Sequence, residues 1–246
     1  MIALSKIPLI KANANNYNTK VRPLTSIEYI VIHYTANIND TAFNNVRYFS
    51  STNTKSSAHY FVSDTNIYQS VPIQHAAYSV GLGSMNKPYT PNPPYYKKCT
   101  NSNSISIELC GGPKGREATQ QTKKTAAELA RALMKELNIP QQNIIRHYDV
   151  TGKMCPAWAV KDPIKWLELQ LMIFGGDNDE MEYNEKNYQV FKQFFSRYIE
   201  ELAAEPATWE NTAMVWAKNE GIINDGKPKT YVTRGELATV LQRIKK

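Results

Sequence analysis

Short β-branched runs alternating with long amphipathic stretches are what most limit how this chain can fold. Residues 27–33 (IEYIVIH), 104–109 (SISIEL) and 143–146 (NIIR) have the length and composition of strands. Residues 58–62 and 67–71 read as a hairpin-like pair around Asp64-Thr65-Asn66. Between the later strands, residues 119–138 set Ala126, Leu129, Ala130, Leu133, Met134 and Leu137 on one helical face, and Pro140 ends the helix. Residues 162–173 read as a closing helix. Strands and helices interleaved in this way predict an α/β domain with its strands in one sheet.

The alternation stops near residue 175, where GGDNDE gives a polar, acidic, glycine-containing stretch suited to a linker. The expected organisation is a catalytic domain over 1–174, a linker over 175–184 and a small all-α domain over 185–246. In the last segment, Phe191, Phe194, Phe195, Tyr198 and Leu202 make a helical aromatic stripe that reads as core, and a second helix is expected over 211–219. Thr233-Arg-Gly-Glu236 has the spacing of a capping box before a third helix. Charge follows the same division. Residues 1–175 hold 19 Lys+Arg against 10 Asp+Glu, net +9, whereas residues 176–246 hold 10 against 12, net −2. An anionic partner is therefore expected for the first unit, and a nucleic acid is not, because no groove-reading motif accompanies the charge.

Residues 81–103, rich in Pro, Asn, Tyr and Lys, are long for a connection and are either a functional loop or a tolerated insertion. No stretch approaches the roughly 20 apolar residues of a membrane span, and the apolar run at 7–10 is shorter than a signal-peptide core. No membrane partner and synthesis in the cytoplasm are the expectations. Three cysteines, Cys99, Cys110 and Cys155, are too few for a disulfide framework, which favours metal-ligand or spectator roles.

Of four histidines, His33 and His147 close predicted strands, and Cys155 follows His147 by eight residues in the turn-rich segment TGKMCPAW. Two imidazoles and a thiolate suit Zn²⁺ and would leave a fourth tetrahedral position open, as a catalytic site requires. Taken one at a time, the same residues could as well be structural.

Four blocks, IVIHYTA at 30–36, SAHYFV at 57–62, SISIE at 104–108 and RHYD with GKMCP at 146–156, resemble in order the signature segments of the type-2 N-acetylmuramoyl-L-alanine amidases. That family includes phage endolysins, bacterial autolysins and peptidoglycan recognition proteins. The resemblance implies a mixed central sheet flanked by helices, a zinc ion held by His33, His147 and Cys155, Glu108 as general base and Lys153 as the cation at the oxyanion. It implies hydrolysis of the lactyl-L-alanine amide of peptidoglycan, in a Gram-positive prophage endolysin that reaches the wall after holin-type release. His75 resembles the family's substrate-side histidine. Other branches place a tyrosine in the hairpin near the metal where this chain has Ala58-His59-Tyr60, so His59 and Tyr60 are also candidates for substrate contact, with His59 facing either cleft or core. The alternative is a non-catalytic peptidoglycan-binding protein on the same fold, a branch that typically replaces the cysteine. Beyond the linker, Trp216-Ala, Gly221-Ile-Ile223, Thr233-Arg-Gly-Glu-Leu-Ala238 and Leu241-Gln-Arg243 resemble one S-layer-homology repeat. That implies a module binding a secondary cell-wall polymer; a helical cap or an oligomer contact is the other reading.

Overall fold

The computed structural model describes residues 2–81 and 87–174. The expected linker, aromatic stripe and wall-binding repeat lie outside the described residues. In chain order the elements are β1 (Tyr17–Asn18), β2 (Tyr29–Tyr34), α1 (Ala42–Ser51), β3 (Tyr60–Ser63), β4 (Asn66–Gln69), β5 (Ala76–Ala77), β6 (Ser104–Leu109), α2 (Gln120–Leu137), β7 (Ile144–Arg146), α3 (His147–Thr151), α4 (Ala157–Lys161) and α5 (Pro163–Phe174), with short 3-10 turns between them.

Five strands form one sheet in the order β4-β3-β6-β2-β7. β3, β6, β2 and β7 run parallel, and β4 returns antiparallel along the edge. The sheet is therefore mixed, and helices cover it. Parallel strands need both faces buried, and this sequence supplies apolar residues for both: Ile30, Val31, Ile32, Ile105, Ile107, Leu109, Ile144 and Ile145 are fully buried. β1 and β5 pair separately as a small two-stranded ribbon.

α2 begins where Thr119 accepts a hydrogen bond from the Thr122 amide and ends where Asn138 adopts a left-handed conformation, φ 54°. Its buried face holds Ala126, Leu129, Ala130 and Leu133; each buried leucine contributes roughly 1.5–3 kcal/mol. Sequence patterning missed α1. Asn44, Asn45, Ser50 and Ser51 are weak helix formers, and packing makes up the difference: Ala42 and Val46 are buried with Phe61, and Phe49 stacks on Phe61 at 5.3 Å.

The described part of the 81–103 connection is anchored to the domain by hydrogen bonds and packing. The Tyr89 amide donates to the Thr151 carbonyl and the Tyr95 amide to the Asp149 carbonyl at 3.0 Å. Cys99 is buried against Val31, Ile145 and Val150. The segment braces α3, and α3 begins with His147.

Candidate metal centre

Parallel pairing decides which residues can meet. His33 is the β2 register partner of Glu108 on β6, and Glu108 is the partner of Phe61 on β3. Register partners project from the same face, so His33, Glu108 and Phe61 form one row, at the carboxyl ends of β2 and β6. His147 leaves the end of β7 as the first residue of α3. The turn after α3 brings Cys155 back, with the Tyr148 amide donating to the Cys155 carbonyl at 2.9 Å. As a result one ligand atom from each of His33, His147 and Cys155 lies within 4.8 Å of the others, and all three residues are buried.

These residues fit a metal ion. Cys155 Sγ is 3.8 Å from His33 Nδ1, and tetrahedral bonds of the usual lengths to zinc would put sulfur and nitrogen roughly 3.6 Å apart. The imidazole rings are 4.6 Å apart and tilted by 58°, so they do not stack face to face. Among the described residues, His147 Nδ1 and Glu108 Oε2 are buried without a hydrogen-bond partner, which is costly unless something else satisfies them. Burial, then the neighbouring His147 and Lys153, holds His33 well below the usual imidazole range. Burial and Lys153 push His147 down to about 3. Both rings are thus neutral at physiological pH, the form that ligates. Burial pushes the Cys155 thiol up to about 12, and a bound cation would be needed to ionise it.

Glu108 adjoins this cluster, its Oε1 lying 3.9 Å from His33 Nδ1. Burial raises its carboxyl to about 7; Lys153 opposes that rise and Asp40 adds to it. Lys153 is exposed at the cleft wall with Met154. Behind the ligands, Arg146 Nη2 donates to Asp149 Oδ1 at 2.8 Å, and Asp149 Oδ2 accepts the Arg146 amide at 2.7 Å. This buried pair brackets His147 and fixes the first turn of α3. Gly152 ends that helix at φ +75°, and an added Cβ would fall 2.1 Å from Thr90 Oγ1, so only glycine fits there.

Residues 23–158, more than half the chain, match the family described as N-acetylmuramoyl-L-alanine amidase. The chain belongs to this family. It is 35% identical over 153 residues to N-acetylmuramoyl-L-alanine amidase CwlL of Bacillus licheniformis, a match covering 60% of this chain and 41% of that protein. The chain thus spans about two fifths of the length of that curated relative. Among solved structures it is similar to the PlyG catalytic domain (26% identity, TM-score 0.57, covering 73% of this chain and 99% of that one). It is also similar to a mutant endolysin from Bacillus subtilis (26% identity, TM-score 0.53, covering 68% and 99%).

Not every residue expected at this family's site lies near His33, His147 and Cys155. His59 is fully buried in the sheet: the Ser106 amide donates to its Nδ1, and its Nε2 lies 3.1 Å from both the His75 carbonyl and Arg22 Nη2. With both ring nitrogens engaged, it sits in the core and not on the cleft wall. Tyr60 is also buried, and burial raises its hydroxyl. Its register partner is Ile107, which puts it on the face opposite Glu108. His75 packs on Tyr17 at 5.4 Å, next to β5, and β5 packs against the turn that precedes β6. That is the amino end of the parallel strands, and His33 and Glu108 occupy the other. The expectation of substrate contact therefore does not suit these three positions. In their place the cleft is lined by Tyr34, Asp40, Asn44, Asn45 and Tyr48. Tyr34 immediately follows His33 and was open to being noticed; the α1 residues went unseen with their helix.

Proposed function

We propose that the chain is a zinc-dependent N-acetylmuramoyl-L-alanine amidase that hydrolyses the lactyl-L-alanine amide of bacterial peptidoglycan. Convergence of two neutral imidazoles and a buried thiol beside an elevated carboxyl supports the reading most directly. A zinc ion held by His33, His147 and Cys155 would supply Lewis-acid activation of the scissile carbonyl and of the attacking water. Glu108 takes a proton from that water as the C–O bond forms and returns it to the alanyl nitrogen as the C–N bond breaks. Lys153, at the cleft wall, places its ammonium where negative charge develops on the carbonyl oxygen. The products are the free lactyl carboxylate and the free amine of the peptide stem. Similarity to a solved endolysin supports a lytic role against a Gram-positive wall. The sequence pattern beyond residue 184 supports a module that tethers the enzyme to a secondary wall polymer and raises local substrate concentration.

The test is turbidity loss of purified Gram-positive walls with the full chain, with and without chelator, alongside Cys155→Ala. Lysis that releases free amino groups, and that both treatments abolish, is the expected result. Release of reducing sugars, or lysis indifferent to chelation, would refute the proposal.

A further inference from the structure

The cleft at Glu108 and Cys155 continues past α1. Its cavity, about 650 Å³, shares Asp40 and Asn44 with a second cavity of about 560 Å³ beyond the amino-terminal turn of that helix. Both volumes fall within the range of small-molecule sites. Sheet register links them, because the row His33, Glu108, Phe61 continues to Tyr68 on β4. One end of the row is at the metal ligands, and the other lines the second cavity.

The chemistry of the second cavity selects among the parts of a wall polymer. Two carboxylates, Asp40 and Asp64, line it, and no cationic side chain is among its described lining residues. Asp40 Oδ2 is occupied by the side-chain amides of Asn45 at 2.8 Å and Asn37 at 3.3 Å. Asp64 Oδ1 accepts from Thr119 Oγ1 at 2.6 Å and Thr122 Oγ1 at 3.3 Å, while its Oδ2 has no partner among the described residues. Asn44 and Asn66 add amide donors and acceptors. At the rim Phe43 stays 42% exposed, with the Tyr68 ring 5.6 Å away and the Arg47 guanidinium over its ring at 5.8 Å. A stem peptide carries more carboxylates than amines, and that net negative charge is disfavoured beside Asp40 and Asp64. The Thr41 amide occupies Asp40 Oδ1 at 2.9 Å, so a neutral aminosugar brings a hydroxyl donor for Asp64 Oδ2, an acetamido group for the asparagines and a C–H face for the phenyl ring.

We propose that this second cavity is a subsite for an N-acetylated aminosugar of the glycan strand, adjacent to the muramoyl unit being cleaved. The proposal rests on the amidase reading above and adds that the enzyme grips the strand as well as the lactyl-peptide junction.

Two measurements test it, using the full chain and the double variant Phe43→Ala/Asn66→Ala, whose altered side chains are both exposed. First, an N-acetylglucosamine oligomer, which has neither lactyl group nor peptide, is titrated into isotopically labelled protein. Amide shifts at residues 40–44 and 64–68, weakened at least about five-fold in the variant, are expected. Shifts absent from these segments, equal in both proteins, or produced there by a sugar-free acidic stem peptide would overturn the proposal. Second, kcat/KM on uncrosslinked glycan strands is expected to fall about ten-fold, mainly through KM, while on a single muramoyl peptide, too short to reach the subsite, it changes by less than about two-fold. Equal losses on both substrates, or none on strands, would also overturn it. Should the unaltered chain hydrolyse neither substrate, the amidase reading fails and the titration alone decides the subsite.

Discussion

Glu108 stands between opposed influences. Burial favours its protonated form, and Lys153 favours the carboxylate. A group so balanced can accept a proton and give it back, which amide hydrolysis requires of one residue at two moments. Replacing it with glutamine keeps the volume and removes the proton exchange. Glu108→Gln is expected to lower kcat by about 100-fold or more, with metal content by elemental analysis and melting temperature kept. A variant that loses its metal as well would show that the carboxylate acts as a ligand.

At the scale of elements, His59 ties β3 to β6 and to the segment before β5 through both ring nitrogens. Burial, followed by the Arg22 charge, pushes it down to about 3, while the His75 carbonyl pulls slightly upward. The unfolded chain, near 6.5, binds that proton sooner than the folded one. The stabilisation is therefore complete above about pH 6.5 and is lost as pH falls toward 3, by as much as about 1.4 kcal/mol per pH unit. Melting temperature should fall with acidification over this window, and His59→Gln should flatten the slope. Identical slopes in the two proteins would exclude His59 as a source. Sequence patterning located the elements unevenly. Strand 104–109 and helix 119–138 were legible because their apolar periodicity is strong and Thr119, Asn138 and Pro140 punctuate the helix. α1 was not, since its stability comes from Phe61, which the sequence places twelve residues away from Phe49. For His59 the core alternative is the one the structure shows, and Tyr60 and His75 were illegible for a related reason: motif resemblance gives order along the chain, whereas the face of a strand depends on register.

For the molecule as a whole, the ligands come from β2, the first turn of α3 and the turn before α4, so a bound ion would join segments 122 residues apart. Anything that binds only the folded chain stabilises it by mass action. With free metal about a thousand-fold above its dissociation constant, the gain is about 4 kcal/mol, and removal by chelator should lower the melting temperature by on the order of ten degrees. An unchanged melting temperature would mean that the three side chains hold no ion. The His33, His147 and Cys155 grouping was legible from residue type and family resemblance. The cleft around it was not, because Asp40, Asn44 and Asn45 carry no signature until α1 is folded over β3 and β4.

The pairing of His33 with Glu108 has a consequence for biogenesis. Neighbouring strands fix that pair, and a slip of β2 by one residue against β6 would turn His33 to the face opposite Glu108. During synthesis His33 leaves the ribosome long before Cys155, so no early fragment can offer all three side chains to an ion. Cofactor uptake would then serve as a late checkpoint, marking molecules whose strands have already aligned correctly.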